Sequence, residues 1–259
     1  MDQIGSILKV TRERVRQLEV KAKRMFSWTP LLHLYVVKVP VAAAQMTMPI
    51  TVQVFNGIGT GGTVYSKSVK EYADTLLVDA DAETVAMIKA MLNYGAKAQV
   101  YFDYNINNLA NKDCEIEEST TIPNAASNVT VDGAVSGIAF YGASLVYESK
   151  IAVRYYFSAS NDIDGYVFTA NNASYSAQKK DGLYYVEIPG INPQAMDEVI
   201  VLSVSNAENE TMSVSYSPMH YISRMYNRAS TSDALKSLLS AMYEYHITAS
   251  AYVDEAVAS

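Results

Sequence analysis

At 259 residues, 49% hydrophobic and 18% charged, the chain has the make-up of a folded protein with room for two modest domains, which excludes disorder throughout. Its net charge of −7 is unevenly spread: residues 1–26 hold seven Lys/Arg against three Asp/Glu, so the rest is strongly acidic and repels phosphate. Any nucleic-acid contact is therefore expected from the N-terminal segment, the single Cys114 permits no internal disulfide, and no apolar run reaches the roughly 20 residues of a membrane span.

The first predicted elements are two short helices. Ile4, Ile7 and Leu8 share one helical face, Val10-Thr11 interrupts the pattern, and Val15, Leu18 and Ala22 resume it. Thr11 is suited to cap the second helix and Glu13 complements the positive end of its dipole. Arg12, Glu13, Arg16 and Gln17 then stand near the start of that helix, the end that enters the major groove in helix-turn-helix proteins. Val10-Thr11-Arg12-Glu13-Arg14-Val15-Arg16-Gln17-Leu18-Glu19, with Ile4-Gly5 before it and Lys21-Ala22 after it, resembles the C-terminal promoter-reading helix-turn-helix of bacterial primary sigma factors. The resemblance implies promoter DNA as a partner of residues 1–26. It implies that Arg12, Glu13 and Gln17 face bases, and that Arg14, Arg16 and Lys21 lie among backbone-facing positions. Because the N-terminus lacks the order of a secretory signal, the chain as written is expected to stay in the cytoplasm. Residues 27–33 form a junction.

Beyond it the sequence repeats. Leu34 to Pro40 returns as Leu183 to Pro189 at an offset of 149, and Thr51 to Asn56 as Val201 to Asn206 at 150. Tyr65-Ser66 returns as Tyr216-Ser217 and Ala90-Met91 as Ala241-Met242, both at 151, as a duplication with small loop insertions would leave them. Each copy reads as strands joined by a hairpin loop and followed by helices, one of them over Ser68 to Leu77. Leu235, Leu238, Leu239, Met242, Tyr245, Ala249 and Tyr252 form an apolar stripe matched by Thr84, Met87, Ile88, Met91, Tyr94, Ala98 and Tyr101. Only the second copy is preceded by further strand-like sequence, Val129 to Gly182, with strands over Gly137 to Tyr141, Ile151 to Phe157 and Tyr166 to Thr169 ahead of the repeated strand at Leu183 to Ile188. Residues 34–65 are therefore expected to show unpaired edges or to borrow pairing from the second copy.

The predicted fold class is α+β: a helix-turn-helix fragment (1–26), a truncated first module (34–112), a linker (113–128) and a complete second module (129–259). Each module is expected to be antiparallel, sandwich-like β-sheet ending in amphipathic helices.

Candidate chemistry meets a structural alternative at each place. Gly57 to Gly62 satisfies G-x-G-x-x-G, yet the second copy fills the same connection with Asn206 to Glu210 and the next residues read as strand, which favours a hairpin loop. Asp79, Asp81 and Glu83, and Asn161, Asp162 and Asp164, read as a helix start and a turn in preference to calcium ligands. His33, His220 and His246 are scattered, and His246 aligns with Gly95. No catalytic residue, metal or cofactor is predicted. Tyr104, Tyr141, Tyr147, Tyr155 and Tyr175 are the tyrosines expected to be exposed, where a ring could stack on a sugar.

Tyr65 to Ala73, Ala90 to Ala96, Tyr101 to Asn105 and Ala241 to His246 are similar to recurring pieces of duplicated β-rich modules in large secreted or surface proteins of gut Firmicutes. That resemblance implies non-catalytic attachments, with a glycan or a protein as partner. The leading expectation is a non-enzymatic structural or binding module of surface-protein type fused to a sigma-like helix-turn-helix. Two alternatives stand beside it: a promoter-binding transcription factor with an acidic regulatory body, and a carbohydrate-binding module.

Overall fold

The computed structural model describes residues 26–29, 34–37, 39–55, 62–114, 122–124, 129–147 and 150–258. The helix-turn-helix expected over 1–26, with Arg12, Glu13, Arg14, Arg16, Gln17 and Lys21, lies outside them except for Phe26. So do His33 and most of the glycine motif at Gly57 to Gly62. Residues 1–41 and 42–259 are two compact units.

In the first unit, β1 (Phe26–Thr29) pairs antiparallel with β2 (Leu34–Val37), Phe26 opposite Val37 and Thr29 opposite Leu34. Phe26 to Thr29, expected as a helix end and a junction, is therefore strand.

The second unit is mixed α+β with antiparallel sheets. It begins with a 3-10 turn, Ala43–Gln45, followed by the hairpin β3 (Ile50–Phe55) and β4 (Gly62–Lys67). Two helices follow, α1 (Val69–Leu76) and α2 (Ala82–Tyr101). The same series closes the chain: a 3-10 turn at Pro193–Ala195, the hairpin β12 (Ile200–Ser205) and β13 (Thr211–Tyr216), then α3 (Pro218–Asn227) and α4 (Asp233–Ala258). Hydrogen bonds fix the correspondence residue by residue. Ser68 and Ser217 each close a capping box on the helix they begin, with Glu71 and His220 as the answering side chains. One residue further into each helix than its first, the Lys70 N–H donates to Met46 O and the Met219 N–H to Met196 O, both at 2.9 Å. Asp81 and Ser232 then cap the long helices by accepting from Thr84 N–H and Leu235 N–H. Ser68 thus matches Ser217 at an offset of 149, and the pairing of Tyr65-Ser66 with Tyr216-Ser217 at 151 is corrected; 151 holds again for the capping residues of α2 and α4. The first copy carries one extra residue between its hairpin strands and the second copy two extra residues before its long helix, and a shared Tyr-Ser dipeptide disguised the shift.

Between the two series lie β5 (Thr130–Gly133), β6 (Ile138–Val146), β7 (Ala152–Ala159), β8 (Val167–Ala170), β9 (Ala173–Tyr175), β10 (Gln178–Lys180) and β11 (Leu183–Pro189). They build a four-stranded sheet in the order β10-β11-β7-β6, and they flank the second hairpin in a five-stranded sheet, β5-β13-β12-β8-β9. Alternation puts Val153, Tyr155 and Phe157 on the buried side of β7 and Ile200, Leu202 and Val204 on that of β12, and every one of them is under a tenth exposed. The sheets meet through these faces: the Tyr155 phenol donates to Ile200 O at 2.8 Å, its ring contacts Tyr216, and Phe157 contacts Phe168. Burial drives the pKa of Tyr155 and Tyr216 well above the usual phenol range.

The two copies share a core through their long helices. α2 packs along α4, with Leu92, Leu238, Leu239 and Met242 fully buried and Tyr94 stacked on Tyr245 at 6.1 Å between ring centres. From Leu92 to Ala96 every residue of α2 is buried, so the helix is enclosed on more than its predicted stripe. Its other side meets the first 3-10 turn, and Gly95 makes that approach possible: a Cβ there would stand 2.6 Å from Met46 Sδ and 3.2 Å from Ala43 O. The expected linker is anchored where it is described. Asp113 pairs with Lys70 at 2.9 Å, Ile122 is buried, and Pro123 O accepts from Ser223 Oγ at 2.8 Å.

Candidate functional site

One cleft, of about 520 Å³, opens where three connections of the second copy converge. Ser136 and Gly137 come from the β5–β6 connection, Gly165 and Tyr166 from the β7–β8 connection, and Asn206, Ala207, Glu208 and Glu210 from the β12–β13 turn. Glu210 organises it. Its carboxylate accepts from Ser136 N–H at 2.7 Å, Ser136 Oγ at 2.9 Å and the Asn206 side-chain amide at 2.8 Å. Those donors, the Ser136 backbone first, hold the Glu210 carboxyl below its usual pKa. The Tyr166 hydroxyl donates to Ser136 O at 2.7 Å. Gly137, at φ +80°, leaves room for that reach, because a Cβ would meet the phenol oxygen at 2.6 Å. The result is a cleft whose walls are tied by hydrogen bonds, with an exposed Glu208 at its rim. A carboxylate kept ionised by three donors is a poor proton donor near neutral pH; it is a good fixed acceptor.

No protein family, curated protein or solved structure matches the chain. The residues themselves carry the functional argument.

Of the tyrosines expected at the surface, Tyr141 alone is well exposed, at 70%. Tyr155 is a fully buried core residue, and this is the largest correction. Tyr104 and Tyr175 are half-buried, Tyr104 with its hydroxyl on Met48 Sδ. Tyr147 is half-buried in a cluster with Tyr101, Phe102 and Tyr221, where burial, and then hydrogen bonds to its tyrosine neighbours, raise its pKa far above the ordinary value. β7 is covered on the face that carries Tyr155, and a run such as Arg154-Tyr155-Tyr156 does not tell which ring faces inward.

The other polar candidates serve the scaffold. Asp81 caps α2, and Asp162 accepts from Ile163 N–H and the Tyr184 hydroxyl. Among the described residues no group of three or more His, Cys, Asp or Glu could hold a metal ion. His220 accepts the Ser217 N–H at 3.1 Å, and burial lowers its pKa. His246 donates from Nδ1 to Pro193 O at 2.8 Å, filling the space that Gly95 leaves to the equivalent turn in the first copy.

Two buried polar centres, both in the first copy, were not foreseen. Gln99 is wholly enclosed; its amide nitrogen faces Thr47 Oγ1, Asn105 O and Asn108 O within 3.3 Å, and its oxygen accepts from Ala110 N–H at 2.8 Å. Lys70 lies buried between Asp74 and Asp113. Burial is the largest single influence on its pKa and lowers it, but the hydrogen bonds and charges of the two carboxylates together outweigh burial and leave it raised. Gln99 has no sequence signal stronger than a polar residue between Ala98 and Val100, and Lys70, in a polar run, has none. The cleft had one: Asn206 and Glu210 stand four apart across a tight turn, the spacing at which an amide and a carboxylate can close on each other.

Proposed function

We propose that the chain is a non-catalytic binding and structural module of bacterial surface-protein type, its second copy a complete sandwich-like unit, joined to a sigma-like helix-turn-helix fragment. The observation that carries this reading is that one scaffold is built twice with different polar residues at matching places. Lys70 answers Met219, Gln99 answers Ser250 and Gly95 answers His246, and each polar member makes bonds within the scaffold. Chemistry shared by the two copies would have kept shared groups. The cleft around Glu210 and Ser136 offers acceptors held by hydrogen bonds and a tyrosine side, which suits the hydroxyls of a glycan. The test is a glycan array probed with the full chain, followed by incubation with each bound glycan. Binding without turnover, weakened at least fivefold by Glu208→Ala, supports the reading; time-dependent release of product overturns it.

A second reading rests on the charge split between residues 1–26 and the acidic remainder. In it Arg12, Arg14, Arg16, Gln17 and Lys21 hold promoter DNA, with Glu13 among the base-facing residues. Binding of a promoter duplex that falls steeply as salt rises supports it, and no shift of the duplex at low salt removes it.

A further inference from the structure

The two hairpins have the same register and opposite surroundings. In the second copy β12 pairs with β8 on its outer edge and β13 with β5 on its own. One face of that hairpin carries Ile200, Leu202, Val204, Met212, Val214 and Tyr216, all buried. Aligned by their strand pairing, the matching face of the first hairpin carries Ile50, Val52, Val54, Thr63, Tyr65 and Lys67. Here Val54 is 54% and Tyr65 61% exposed, and among the described residues no strand pairs with the outer edge of β3 or β4. Apolar alternation of this kind is the pattern of a face that is covered, and an unpaired strand edge is a ready template for another strand.

What pairs with such an edge is visible in the second copy. β8 runs antiparallel to β12 with Thr169 opposite Ser203, Phe168 opposite Val204 and Val167 opposite Ser205. Phe168 is buried beside Val204 and reaches Phe157 of the four-stranded sheet. Carried to the first copy, the same register places an aromatic residue opposite Val54, with its flanking residues opposite Gln53 and Phe55. The strand that completes this edge in the second copy is unlike the hairpin in sequence, and the apolar face itself lies against the four-stranded sheet.

We propose that the outer edge of β3 is a docking site for an extended segment of another polypeptide, which adds as an antiparallel strand and sets an aromatic side chain against Val54. Main-chain hydrogen bonds would hold the segment, and the Val54 position would select the aromatic residue, the division of labour usual in strand addition. The site belongs to the first copy and uses no residue of the cleft.

A fluorescein-labelled peptide with the sequence of residues 164–171, which contains β8, is the probe. Titrated with the full chain, it should show a saturable rise in anisotropy, and amide exchange should slow across 50–55 and 62–67. Val54→Asp in the chain, at an already exposed position, and Asp in place of the peptide's phenylalanine should each weaken binding at least tenfold. The same chain variant keeps the glycan-array response, so failure here and failure of the cleft reading are told apart. Absence of saturation up to about 1 mM peptide overturns the proposal, as does binding indifferent to both substitutions. Concentration-dependent self-association in sedimentation, lost in Val54→Asp, also overturns it and assigns the edge to a second copy of the chain.

Discussion

Gln99 holds three backbone groups and one hydroxyl in a place where water does not reach. Truncating it to Leu keeps the volume and strands those partners, so stability measured by denaturant unfolding should fall by about 2–3 kcal/mol. Lys70 gives the opposite expectation despite its burial. Its partners Asp74 and Asp113 are open to water, and Met219 already fills the matching place in the second copy. Lys70→Met should therefore stay within about 0.5 kcal/mol of the parent in the same assay, as expected where the carboxylates left behind remain solvated. The pair shows why burial of a polar side chain does not by itself predict its cost: what counts is whether its partners can turn to water.

At the scale of elements, identical register has unequal weight. Val204→Asp puts an unpaired charge between two sheets and should cost about 3–5 kcal/mol or prevent folding, whereas Val54→Asp should cost less than about 1 kcal/mol, both read from urea unfolding midpoints. Periodicity could locate both hairpins, since Val52 and Val54 alternate with Gln53 much as Leu202 and Val204 alternate with Ser203. It could not show which hairpin is covered, because cover comes from strands elsewhere in the chain. For the same reason the four strands expected over 137–188 correspond to β6, β7, β8 and β11, while the short β5, β9 and β10 were not anticipated. The Glu210 cleft escaped because it joins three connections far apart in sequence. The apolar stripe of α4 was legible from Leu235 onward because a helix brings its own spaced residues onto one face.

For the unit spanning residues 42–259, the contact of α2 with α4 binds the two copies into one hydrophobic core. Leu92→Ala and Leu238→Ala, one in each copy, should each lower the same single far-ultraviolet transition, by about 2–5 kcal/mol, without splitting it into two steps. A biphasic curve in either variant would show that the copies melt separately. The segment after α2 also carries Cys114, half-buried against this core, with Asn111 O accepting its N–H and burial raising its thiol pKa. As the only cysteine in 259 residues, it is a built-in clock for the clasp formed by Gln99 and Lys70. A maleimide should label the folded chain more slowly than a free thiol peptide, and Gln99→Leu should quicken that labelling well before global unfolding begins.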